Sequence, residues 1–175
     1  MTLHEYARFG TALRARGFNQ GTVAADPICR YRQGNLILDI LPVSPTVLGF
    51  GNLWYPLAVE TAVRSRLPGG LRLKHATAPC FMATKLVAFR DRGGGDFLAS
   101  RDFEDLVAVV EGRPEIVDEV RRAPAELRTW LRHEMGAMIG ERGFAEGLVG
   151  MIPGFADVRA RAELVRGRFV DIAEG

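Results

Sequence analysis

Leu36-Ile37-Leu38-Asp39-Ile40-Leu41 is the stretch on which the fold reading turns. A run of branched aliphatics predicts a β-strand, yet aspartate is depleted from strands. A carboxylate among aliphatic side chains has to be paired, metal-bound or neutralised. Immediately upstream, Ile28-Cys29-Arg30-Tyr31-Arg32 leads through Gln33-Gly34-Asn35 into that run, and Gly-Asn suits a tight hairpin turn. With Gly34 and Asn35 as a two-residue turn, Asp39 lies directly opposite Arg30 on one face of the sheet. Two readings of Asp39 follow: a cross-strand ion pair, or a metal-binding carboxylate at a sheet surface.

Working outward, residues 3–17 carry an apolar stripe of helical spacing through Leu3, Tyr6, Phe9, Gly10 and Leu13, with Gly17 as a stop. Pro42 and Pro45 end the strand. A second hairpin is signalled by 62–67, then Pro68-Gly69-Gly70, then 71–76. Within it Arg64, Arg66, Arg72 and Lys74 alternate with other residues, so one face is exposed or binds something anionic. From Pro79 onward the chain reads as helical, broken at Gly93-Gly94-Gly95, Gly112-Arg113-Pro114, Pro124 and Pro153-Gly154. The expected class is α+β: an α/β part over 1–76 and a helical part over 77–175 that shares its core.

A chain of 175 residues, 47% hydrophobic and 25% charged, is an ordinary globular composition and argues against disorder. No apolar run approaches the ~20 residues that cross a bilayer, and no secretory signal is apparent, so a cytoplasmic, non-membrane protein is expected. Cys29 and Cys80 lack metal-ligand spacing and read as reduced apolar fillers. A net charge of +2 does not by itself argue a nucleic-acid surface. All basic residues but Lys74 and Lys85 are arginine, which makes the two lysines conspicuous.

Lys85 stands in a predicted helix over 79–92 whose packing face is Phe81, Met82, Leu86 and Phe89. It is one turn from both phenylalanines, so it emerges beside the buried stripe. From there it either snorkels to water or projects into a cleft and holds phosphate. Ser100-Arg101-Asp102-Phe103-Glu104-Asp105 opens the next helix, with Ser100 or Asp102 as N-cap and acids favoured by the helix dipole. Asp102 and Asp105 are three apart and share a face, able to orient a lysine, a metal or a hydroxyl group. The triple glycine is followed by no Gly-Lys-Ser/Thr, so it reads as a connection rather than a phosphate loop. His4, His75 and His133 show no zinc spacing.

Taken together, Ile28-Cys29-Arg30, Leu38-Asp39-Ile40-Leu41-Pro42, Leu48-Gly49-Phe50-Gly51-Asn52-Leu53-Trp54-Tyr55, Ala83-Thr84-Lys85-Leu86-Val87-Ala88-Phe89 and the segment from Gly93 to Asp105 resemble bacterial nucleotidyltransferases of the abortive-infection AbiEii toxin group, in the DNA-polymerase-β-like superfamily. The likeness runs over about 1–135. It implies a nucleotidyltransferase-type mixed sheet with flanking helices, and transfer of a nucleotide from a nucleoside triphosphate to an RNA or protein hydroxyl group. Three strand carboxylates would hold divalent metal, magnesium, in two-metal phosphoryl chemistry. On this likeness Asp39 is the third of those acids. Lys85 lies near the triphosphate, and either Asp102 or Asp105 is the acid of the following helix. An antitoxin partner is also implied.

The family's first strand, its glycine turn and its Asp-x-Asp pair should precede the helix at 3–17, and no Asp-x-Asp occurs in the 175 residues. With Asp39 alone, magnesium is expected to bind weakly or not at all, and the sheet to be incomplete. Either the true start lies upstream, or the chain is a remnant with little or no transfer activity. The alternative function is a non-catalytic module that binds nucleotide or RNA through Lys74, Lys85 and nearby arginines. Another is self-association through an exposed sheet edge.

Overall fold

The computed structural model describes residues 2–21, 24, 26–92, 95–154 and 156–175. Among the described residues, eight helices and two small antiparallel sheets make an α+β protein that divides into two compact units, Met1–Tyr55 and Pro56–Gly175.

The first unit is a helix laid on a three-stranded sheet. Helix α1 (Leu3–Arg14) starts in a capping box: the Thr2 hydroxyl accepts from the Glu5 amide, and the Glu5 carboxylate accepts from the Thr2 amide. Its buried residues are Tyr6, Gly10 and Leu13, the centre of the predicted stripe; Leu3 and Phe9 remain exposed. Gly10 matters sterically, since a Cβ there would stand 2.6 Å from the Tyr31 hydroxyl oxygen. Strands β1 (Asn19–Gln20), β2 (Arg30–Gln33) and β3 (Leu36–Asp39) pair in chain order. The β2–β3 register runs Gln33↔Leu36, Arg32↔Ile37, Tyr31↔Leu38 and Arg30↔Asp39, as the two-residue turn requires. Gly34 takes φ +56°, the left-handed region that such a turn needs. The apolar run is not a buried strand, however: β3 is an edge, with Leu36 62% and Ile37 54% exposed.

The second unit opens with helix α2 (Tyr55–Glu60), which begins at the last residue of the first unit. The hairpin of β4 (Val63–Arg66) and β5 (Arg72–His75) follows in the predicted place. Six helices follow: α3 (Ala78–Arg92), α4 (Arg101–Gly112), α5 (Ile116–Arg121), α6 (Ala125–Ile139), α7 (Phe144–Met151) and α8 (Val158–Glu174). Pro114, Pro124 and Pro153 fall at helix boundaries, where a missing amide costs least. Of the glycine connection between α3 and α4, Gly93 and Gly94 lie outside the described residues. Phe89, Phe97, Phe103, Phe144 and Phe169 form a contiguous aromatic core with centroid separations of 4.8 Å for Phe97–Phe103 and 5.5 Å for Phe144–Phe169. Gly147 on α7 allows this approach; a Cβ there would meet the Phe97 Cβ at 2.3 Å. Among the described residues no helix is long and apolar enough to cross a membrane.

Candidate functional site

Helices α3 and α4 bring Lys85, Asp102 and Asp105 together. On α3, Met82, Leu86 and Phe89 are fully buried and seat the helix, so Lys85 is carried to the border of the core. Phe81 is only half-buried and lies under the lysine, with its ring centroid 5.5 Å from Nζ. The approach to α4 is equally determined. Asp96 Oδ1 accepts from the amides of Leu98 and Ala99, folding the chain back, and the Ser100 hydroxyl caps α4 by accepting from the Phe103 amide. Ser100, not Asp102, is therefore the N-cap.

Lys85 Nζ donates to Asp102 Oδ1 at 3.1 Å and stands 2.5 Å from Asp105 Oδ2. The three side chains differ in access: Asp102 is 8% exposed, Lys85 23% and Asp105 46%. Burial is the largest single influence on the ammonium and acts to lower its pKa. The hydrogen bonds and charges of Asp105 and Asp102 together outweigh it, and hold Lys85 above the ordinary lysine value. With Asp96, Ser100 and Arg101 the trio lines an open cleft of about 610 Å³. Its wall is polar and hydrogen-bonding, suited to a charged or hydroxylated ligand rather than an apolar one.

Asp39 belongs to the first unit and its partner there is Arg30. Arg30 Nε donates to Oδ1 at 2.8 Å and Nη2 to Oδ2 at 2.7 Å, so a guanidinium fork engages both carboxylate oxygens. Those hydrogen bonds hold the Asp39 carboxyl below its usual range, against a smaller opposing effect of burial. The fork extends further: Arg30 also lies 3.7 Å from Asp26, and Arg32 grips Asp26 in a second bidentate pair at 2.7 and 2.8 Å. The expected cross-strand ion pair of Asp39 is formed. Among the described residues no group of three His, Cys, Asp or Glu side chains is placed to hold a metal ion.

Lys74 is not among the cleft residues; it stands on the exposed face of β5. Two partnerships escaped sequence reading. Asp26 sits eight residues before a turn that defines only Arg30 to Asp39, and no periodicity marks it. His75, isolated in sequence, meets Ser65 diagonally across the second hairpin, Nε2 to Oγ at 2.7 Å, while Nδ1 lies 2.8 Å from the Ala76 carbonyl. The period of two in that hairpin does place both on one face, which was the available signal.

Models of protein families, curated proteins and solved structures were each compared with the chain, and none matches.

Proposed function

We propose that this chain is a nucleotide-binding protein of the nucleotidyltransferase type, similar to AbiEii toxins, a type that transfers a nucleotide from a triphosphate to an RNA or protein hydroxyl. The observation that carries the reading is the Lys85–Asp102–Asp105 constellation at a polar cleft. Its asymmetry suits phosphate capture. Asp102, the buried partner, keeps the ammonium oriented and charged. Asp105, the exposed partner, yields its hydrogen bond when a phosphate oxygen arrives, so Lys85 exchanges one anion for another without losing its anchor. Arg101 and Ser100 stand on the same wall and are placed to meet the rest of the ligand. The sequence holds no Asp-x-Asp pair, and Asp39 is engaged by Arg30, so this chain by itself binds nucleotide and transfers it slowly or not at all.

Calorimetric titration with nucleoside triphosphates, with and without magnesium, tests the reading. Binding in the micromolar to millimolar range is expected, and Lys85→Ala should weaken it by about ten- to a hundredfold, the worth of one charge-assisted hydrogen bond. Absence of binding at millimolar ligand, or an unaffected Lys85→Ala variant, refutes it.

A further inference from the structure

The β4–β5 hairpin shows a second anion-directed feature, remote in kind from the cleft. Register pairs Arg64 with Lys74 and Arg66 with Arg72, so four cations occupy the even-numbered face of a two-stranded ribbon. All four are exposed, and none has an ion pair or hydrogen bond among the described residues. Like charges directly opposite each other across a ladder repel, and no carboxylate among the described residues pairs with them. The strand rise and spacing set these charges on a grid of roughly 5 by 7 Å. Arg30, Arg32, Arg90, Arg113 and Arg161, by contrast, each have an acidic partner.

We infer that this face docks the phosphate backbone of a nucleic-acid duplex. Three of the four cations are arginines, whose planar forks bind phosphate oxygens in pairs. Leu67 and Leu71 are exposed at the hairpin tip, and the Leu67 amide donates to the Leu71 carbonyl at 2.8 Å, continuing the ladder. The alternation therefore turns both leucines to the odd-numbered face, away from the cations. A membrane-binding ribbon would need apolar anchors beside its charges; this one separates them onto opposite faces. The cationic face also carries no aromatic side chain on which unpaired bases could stack, which favours a duplex backbone over single strands. The docking reading stands independently of the Lys85 reading.

Fluorescence anisotropy of a short labelled DNA duplex against the full chain tests it. Neutralising four phosphates gives a slope of log affinity on log salt near −3.6, an approximately 150-fold loss between 50 and 200 mM salt. Arg64→Gln/Arg66→Gln should halve that slope, to an approximately 12-fold loss over the same range, and leave triphosphate binding at the Lys85 cleft unchanged. Arg159→Gln/Arg166→Gln, the same charge removed from exposed positions of α8, should leave duplex binding within twofold. Three outcomes overturn the inference: no duplex binding at 50 mM salt, equal losses in both double variants, or tighter binding to anionic-lipid vesicles or a polyglutamate peptide than to the duplex.

Discussion

The Asp39–Arg30 pair of the first unit and the Lys85–Asp102–Asp105 cluster of the second are built from the same charges and do opposite things with them. In the first, both oxygens of Asp39 accept from the parallel donors of Arg30, which also lies 3.7 Å from Asp26. In such a pair each oxygen already has a charged donor. In the second, one ammonium faces two carboxylates of unequal exposure at the edge of a cleft. That arrangement has a surplus acid and an exchangeable hydrogen bond. Stoichiometry and access, more than the mere presence of charged residues, distinguish a structural ion pair from a site.

The contrast can be broken most forcefully at Asp102. Replacing it by alanine leaves Lys85 partly buried with only its solvent-exposed partner, and should cost about 2–3 kcal/mol in denaturant unfolding, somewhat under the range for fully buried pairs. An equally large loss in Asp105→Ala would erase the distinction between anchor and exchangeable partner; the expected cost there is no more than about 1 kcal/mol. Asp39→Ala should likewise cost no more than about 1 kcal/mol, because its pair is screened by solvent. It should also leave triphosphate binding intact, and a binding defect would show that Asp39 does more than hold Arg30.

The two clusters should also part on a pH axis. Lys85 has a raised pKa, so its contribution is fully present below the ordinary lysine value near 10.4. It fades as pH climbs through the higher folded value. Asp39 has a lowered pKa, so its contribution is present above the ordinary carboxylate value near 3.9 and fades as pH falls through the lower folded value. Melting curves of Lys85→Met and Asp39→Asn should therefore converge on wild type at opposite ends of the scale, alkaline for the first and acid for the second. The smallest effect belongs to the second hairpin. Arg64→Gln/Arg66→Gln should raise stability by about 0.2–1 kcal/mol, read as a higher melting midpoint in low salt that vanishes in high salt.

Legibility in the sequence followed the range of the forces concerned. Gly34-Asn35 specified a two-residue turn, and the turn alone set Arg30 opposite Asp39. Pro68-Gly69-Gly70 did the same for the second hairpin, and the period of two placed its four cations on one face. The spacing of Met82, Leu86 and Phe89 brought Lys85 to the edge of the core. Less legible was the exposure of Leu36 and Ile37. An aliphatic run reads as buried until the sheet order makes β3 an edge. Nor did spacing decide between Asp102 and Asp105, because both face Lys85; the packing of α4 against α3 buries one and leaves the other wet.

By itself the sequence determined what hydrogen bonding and periodicity act on over a few residues: two hairpins with their registers, the α1 stripe, and the lysine beside the apolar face of α3. The tertiary structure alone decided which charges became partners between elements that no tight turn joins, and which of Asp102 and Asp105 lost its water. The physical reason is desolvation. A turn or a ladder is chosen by neighbours in the chain, whereas the environment of a charge is set by whichever helices and strands close over it.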